Sequence, residues 1–258
     1  MTELLTSRFN HKIEDEESWV CDLVWGGNRL ARKRFDLPGF EGNLISIPHG
    51  QSNVGGDIYF ITVCGSGNLS KFLLLDVSGH GEEAARLSER LQEPLYLLMN
   101  ENDNTALLNE LNQHMLDLNL RNKFVTALAA TYNNTLNEWL YSYAGHPYML
   151  IRLNGIWQEL PAQGVRSLPI GIKQEGLYYE SQTILQPGDW VIMFSDGLLD
   201  VKNGNGELLE EKGLIQLLNQ IEADEIGPFI SLFVEKLKEL NGNDSFQDDL
   251  TFIVLKRI

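Results

Sequence analysis

Strand-forming and helix-forming runs are grouped along this chain rather than alternating, and that grouping removes most ways of folding it. Runs rich in β-branched and aromatic residues at 58–64 and 71–76 are separated by Gly65-Ser66-Gly67-Asn68, a hairpin signal. The period then changes. Leu87, Leu91, Leu95 and Leu98 recur at three- and four-residue steps, one face of a helix, and Pro94 within that pattern is expected to kink or interrupt it. A second stripe, Leu107, Leu111, Met115 and Leu118, follows, with Asp103 or Thr105 placed to cap it. Strand patterns return at 124–132, 138–144, 148–153, 156–160, 182–185 and 190–194, with Asn154-Gly155 as a tight-turn pair. Leu214, Leu217, Leu218 and Ile221 read as a third helix. Ile226, Phe229, Phe233, Leu237 and Leu240 read as a fourth, with Pro228 tolerated in its first turn, and 250–255 reads as a closing strand. Grouped strands and paired helices disfavour a parallel, doubly wound sheet. The expected class is α+β, with antiparallel sheets and helix pairs on their outer faces.

The first 40 residues are uneven. An acidic run, Glu14-Asp15-Glu16-Glu17, precedes the apolar stretch 19–25; Gly26-Gly27-Asn28 breaks that stretch, and Arg29, Arg32, Lys33 and Arg34 follow. Two readings stand: a strand packed on the core with a solvated basic turn, or a partner-docking segment. The N-terminus has no apolar core of the signal-peptide kind, and no apolar run approaches the ~20 residues that span a bilayer, so a reducing cytoplasm is expected. The two cysteines, Cys21 and Cys64, make no disulfide framework and read as small buried hydrophobes. The net charge of −16 argues against nucleic acid or an anionic membrane as the main partner.

Four aspartates stand at the ends of apolar runs: Asp57 in Val54-Gly55-Gly56-Asp57, Asp76 in Asp76-Val77-Ser78-Gly79-His80-Gly81, Asp196 in Ser195-Asp196-Gly197, and Asp248 in Asp248-Asp249-Leu250-Thr251. Each alone is an ordinary cap, turn or loop residue. Four carboxylates converging on one glycine-lined spot would repel one another unless cations neutralised them, and hard oxygen donors suit Mg2+ or Mn2+.

These motifs, with Ala144-Gly145-His146-Pro147, Leu168-Pro169-Ile170-Gly171 and Gly188-Asp189, come in the order found in metal-dependent protein Ser/Thr phosphatases of the type 2C (PPM) superfamily. The chain resembles in particular the bacterial branch typified by the stage II sporulation phosphatase and the stress-response sigma-factor regulators. The resemblance implies a β-sandwich of two antiparallel sheets flanked by helix pairs (α-β-β-α layers). It implies a segment 1–40 ahead of a catalytic domain 41–258. It also implies two Mn2+ or Mg2+ ions, with Asp76 bridging them, Asp57 and the Val77 carbonyl on one, and Asp196 and Asp248 on the other. A hydroxide between the ions would attack phosphorus in line, with Asp57 and Asp76 as the central catalytic residues and Asp249 in an outer role. Neither cysteine is needed as a nucleophile.

The chain also departs from the family pattern. Phe60 stands where many relatives carry a second acid, Ser78 where eukaryotic relatives carry a histidine, and Tyr148 where a second proline is common. His80 reads as a turn-shaping residue and His146 as a structural hairpin residue. Arg29, Arg32 and Arg34 are the candidates for holding substrate phosphate. The implied substrate is phosphoserine or phosphothreonine on a regulatory protein such as an anti-sigma-factor antagonist, with an activating partner received by residues 1–40 or by the helix pair 82–121. The alternatives are a non-catalytic scaffold that binds a partner without turnover, and a hydrolase of small phosphate esters.

Overall fold

Two six-stranded antiparallel sheets lie face to face and carry helix pairs on their outer surfaces. The computed structural model describes residues 21–258 except 51, 80, 121, 165–166 and 243–245, with side chains from residue 25 onward. In chain order the strands are β1 (Cys21–Arg29), β2 (Ala31–Leu37), β3 (Phe40–Ile47), β4 (Val54–Cys64), β5 (Leu69–Val77), β6 (Val125–Asn133), β7 (Glu138–Ala144), β8 (Leu150–Leu153), β9 (Ile156–Glu159), β10 (Glu180–Ile184), β11 (Trp190–Phe194) and β12 (Leu250–Arg257). The helices are α1 (Glu82–Leu98), α2 (Asn104–Asp117), α3 (Glu210–Asn219) and α4 (Ile226–Asn241). The first sheet runs β1-β4-β5-β6-β7-β10 and the second β2-β3-β12-β11-β8-β9. The expected α+β layering is the one observed.

Three apolar layers follow from strand periodicity, because alternate side chains leave opposite faces of a sheet. Between the sheets, Phe40, Phe72, Tyr132 and Trp139 form an edge-to-face aromatic cluster with Leu74, Met193 and Ile253. Outside the first sheet, Ile58, Leu73, Leu75 and Ala129 meet Leu87, Leu91 and Leu95 of α1 and Leu107, Leu111 and Met115 of α2. Outside the second, Ile45, Ile192, Phe252 and Val254 meet Leu214 and Leu218 of α3 and Phe229, Phe233 and Leu237 of α4. The α2 cap is Asp103: its carboxylate accepts from Thr105 N at 2.7 Å and Ala106 N at 3.1 Å. Asn154 and Gly155 turn β8 into β9 with φ of 51° and 84°, the left-handed pair that a tight hairpin requires.

Two local expectations are corrected. Of the two outcomes expected at Pro94, a kink or an interruption, the interruption is overturned: helix α1 runs through Pro94 as one element. A mid-helix proline costs about 3 kcal/mol, but Leu91 and Leu95 on either side are wholly buried against the first sheet, and their burial outweighs that cost. The basic patch, read as a turn, is instead β2, an edge strand in which Arg32, Lys33 and Arg34 are exposed between buried Ala31 and Leu37. Charged side chains are a usual way to keep a free sheet edge from pairing with other chains. Residues 21–37 thus give one edge strand to each sheet. The acidic run at 14–17, Trp19 and His80 lie outside the described residues.

Candidate metal centre

All four motif aspartates sit at one end of the sandwich, and the strand register explains why. β4 and β5 are antiparallel with Ile58 opposite Leu75, so Asp57, one step before Ile58, faces Asp76, one step after Leu75. In the second sheet Phe194 pairs with Phe252, and Ser195 N donates to Thr251 O at 2.9 Å, which puts Asp196 beside the Asp248-Asp249 turn.

A hydrogen-bond network stitches the two sheets together at this end. Ser195 Oγ, fully buried, donates to Asp57 Oδ2 at 2.6 Å and accepts from Thr251 N at 3.0 Å. The buried Asp249 carboxylate accepts from His49 N and from Gly56 N, each at 2.7 Å. This explains Gly55-Gly56: a Cβ on Gly55 would stand 2.6 Å from Asp249 Oδ1, and one on Gly56 would stand 3.2 Å from Asp249 Oδ2 and 3.4 Å from the Val77 carbonyl oxygen. The Val77 carbonyl is therefore held against the start of β4. Beyond it, Ser78 exchanges two 3.0 Å bonds with Phe124, N to O and Oγ from N, extending the β5–β6 ladder. Lys123 Nζ ties this turn to α1 through Glu83 at 3.0 Å.

The electrostatics are those of crowded like charges. Burial, then Asp76 and Asp249, holds the Asp57 carboxyl well above the usual carboxylate range. Burial, then Asp196, Asp248 and Asp249, does the same to Asp76. Burial, then Asp248 and Asp200, pushes Asp196 up to about 6. Among the described residues no three His, Cys, Asp or Glu side chains are already drawn together as a finished ion cage. What fits a cation is the donor set: Asp57 Oδ1 is buried with no hydrogen-bond partner, beside Asp76 and the Val77 carbonyl, and all the donors are hard oxygens.

Sequence reading missed Ser195 and Asp200. Ser195 carried no signal beyond lying next to Asp196. Asp200 lies one tight turn on, its N–H donating to Asp196 O at 3.2 Å. His146 is wholly buried, its Nδ1 on Thr126 Oγ1 at 2.8 Å and its Nε2 on Phe194 O at 3.0 Å, so it links the two sheets beside the carboxylate end, Thr126 being the residue paired with Asp76. Of the arginine candidates, Arg29 lies opposite Val54 at the carboxylate end, while Arg32 and Arg34 lie on β2.

These pKa shifts set a pH dependence. A carboxyl whose folded pKa is raised binds its proton more tightly folded than unfolded, so stability falls as pH rises from about 4 towards the folded pKa. For Asp196 that window closes at about 6, and Asp57 and Asp76 shift in the same direction. Metal-free protein is expected to melt at a higher temperature at pH 5 than at pH 7.5, and Mn2+ is expected to stabilise it more at the higher pH. Calorimetric scans at both pH values check this; a metal-free melting temperature that rises with pH contradicts it.

The sequence profile of the Stage II sporulation protein E (SpoIIE) family matches residues 67–258. The phosphoserine phosphatase RsbU of Bacillus subtilis (strain 168) is 28% identical over 227 residues, covering 83% of this chain and 62% of the relative, so the chain spans under two thirds of that relative's length. The SiaA-PP2C domain of Pseudomonas aeruginosa superposes with a TM-score of 0.72 at 22% identity, covering 84% of each chain. RsbX, solved in complex with magnesium, superposes at 0.65 with 18% identity, covering 88% of this chain and all of the other. With three quarters of its length matched by the family profile and its fold superposing on those solved structures, the chain belongs to the stage II sporulation protein E family and has a PP2C-like fold.

Proposed function

We propose that this chain is a Mn2+- or Mg2+-dependent phosphatase acting on phosphoserine or phosphothreonine of a regulatory protein. The observation that carries the reading is the buried Asp57 Oδ1, which has no hydrogen-bond partner, within a cluster in which burial and neighbouring carboxylates raise the proton affinity of both Asp57 and Asp76. Asp57, Asp76 and the Val77 carbonyl would hold one ion, with Asp76 shared by a second ion on Asp196 and Asp248. Bound there, divalent ions supply charge neutralisation and make water acidic enough to attack phosphorus near neutral pH. The residues of the chain do the positioning. Ser195 fixes one oxygen of Asp57 and leaves the other free, Asp249 ties the start of β4 to His49 by accepting from the Gly56 and His49 amides, and the Ser78–Phe124 bonds hold the end of β5. Arg29, exposed at the same end, is suited to receive the substrate phosphate.

The class of substrate follows the relatives, one of which is named a phosphoserine phosphatase. A phosphorylated anti-sigma-factor antagonist is the proposed partner, with an activating protein received by residues 1–40 or by α1 and α2. Among the described residues no helix is long and apolar enough to cross a membrane, and the proposed location is the cytoplasm. Release of inorganic phosphate from a phosphoserine peptide is expected with millimolar Mn2+ and is expected to vanish with a chelator. Folded protein that takes up Mn2+ but releases no phosphate contradicts the reading. Folded protein that takes up none supports the scaffold alternative.

A further inference from the structure

A groove of about 320 Å³ lies outside the second sheet, between the edge strand β2 with its neighbour β3 and helix α4. Its floor is apolar, from Ile45, Ile230 and Val234, and one wall is basic, from Arg32 and Arg34. The register makes this wall: Arg32 pairs with Ile45 and Arg34 with Asn43, and Ile45 packs in the layer under α4, so this alternate set faces outward. The positive charge is out of keeping with a chain of net charge −16. Among the described residues Arg32 forms no ion pair, and Arg34 reaches only Glu41, at 3.7 Å with its side chain 60% exposed. Asn43 Oδ1, in the same groove, is buried with no hydrogen-bond partner. A buried acceptor in that state calls for a donor.

We propose that this groove docks an extended acidic segment of the phosphorylated protein on which the chain acts. Carboxylates of the segment meet the guanidinium groups of Arg32 and Arg34, a backbone N–H meets Asn43 Oδ1, and apolar side chains between the acids rest on Ile230 and Val234. The start of β2, beside the groove, and the carboxylate cluster lie on one row across the second sheet. Ala31 at the start of β2 pairs with Ser46, Ser46 pairs with Thr251, and Thr251 O accepts from Ser195 N beside Asp196. That row is three strand spacings, about 14 Å, or roughly four to five residues of extended chain. The acidic residues therefore sit about five positions from the phosphoserine. The substrate role rests on the phosphatase reading, whereas the docking itself does not.

The test uses the full chain and two fluorescein-labelled peptides, each with phosphoserine five residues from a four-residue tract, Glu-Asp-Glu-Asp in one and Gln-Asn-Gln-Asn in the other. Without metal, fluorescence anisotropy is expected to show at least about tenfold tighter binding of the acidic peptide, weakened by salt. Arg32→Ala with Arg34→Ala is expected to make the two peptides equivalent, while Lys236→Ala with Lys238→Ala on α4 keeps the preference. With Mn2+, the acidic tract is expected to lower KM about tenfold and to leave kcat alone in the unsubstituted protein. Equal affinity for the two peptides, a preference that survives loss of both arginines, or loss of preference in the lysine variant as well overturns the proposal. Preference without turnover defeats the phosphatase reading and leaves the docking site standing.

Discussion

Replacing Asp76 by asparagine is expected to lower turnover by at least about a thousandfold and to leave a folded protein that is more stable than the parent when metal is absent. A thousandfold loss corresponds to about 4 kcal/mol of transition-state stabilisation, the scale expected when a central divalent site is disabled. Asparagine keeps the shape of the side chain and removes its charge. Asp76 interacts unfavourably with Asp196, Asp248 and Asp249 and itself raises Asp57, so the substitution relieves repulsion across the whole cluster. The gain is expected to grow as pH rises, because the parent's carboxyls are held above their usual range and ionise against burial and repulsion, and to shrink towards pH 5. Phosphate release and chemical unfolding of the metal-free variant check both halves. Near-normal turnover would remove Asp76 from the centre of the site, and a less stable metal-free variant would deny that repulsion governs it.

The second large effect is structural. Gly197→Ala is expected to destabilise the protein by about 3 kcal/mol and to abolish turnover. An added Cβ would stand 2.0 Å from the carbonyl oxygen of Asp249 and 3.4 Å from the Asp248 Cβ. The first of these atoms is backbone, so no rotamer change relieves the clash, and the Asp248-Asp249 turn must move away from Asp196. Moving Asp249 also strains its bonds to His49 N and Gly56 N, and with them the start of β4 that carries Asp57. In a chain of this size the loss corresponds to a fall in Tm of roughly 6–12 °C. Gly227→Ala, in the first turn of α4 with nothing within 4 Å of the added Cβ, serves as the control and is expected to be close to neutral. A Gly197→Ala protein with parental Tm and activity would mean that the turn is not held as tightly as the geometry shows.

Much of this architecture was legible because its signals are periodic. Leu87, Leu91 and Leu95 face the first sheet as a helical stripe, and the unbroken apolar runs of β5 and β12 mark strands buried on both sides. β2 was not legible as a strand: an edge strand has one neighbour, and its exposed Arg32, Lys33 and Arg34 give the polar texture of a turn. Pro94 misled because local backbone cost is visible in sequence, whereas the burial of Leu91 and Leu95 that outweighs it is not. The convergence of the four aspartates could be expected from their places at strand ends. Ser195 could not, because its role depends on Asp57, 138 positions away, reaching it across the gap between sheets. Asp200 and the amide contacts of Asp249 are likewise products of folded turns, with no spacing that marks them beforehand.

The central claim is that the carboxylate cluster exists to hold divalent ions. Anomalous diffraction from crystals of the full chain grown with Mn2+ tests it most directly. Two anomalous peaks are expected, one against Asp57, Asp76 and the Val77 carbonyl and one against Asp76, Asp196 and Asp248, both lost in the Asp76→Asn protein. A map without peaks among these side chains, from protein in millimolar Mn2+, would contradict the account.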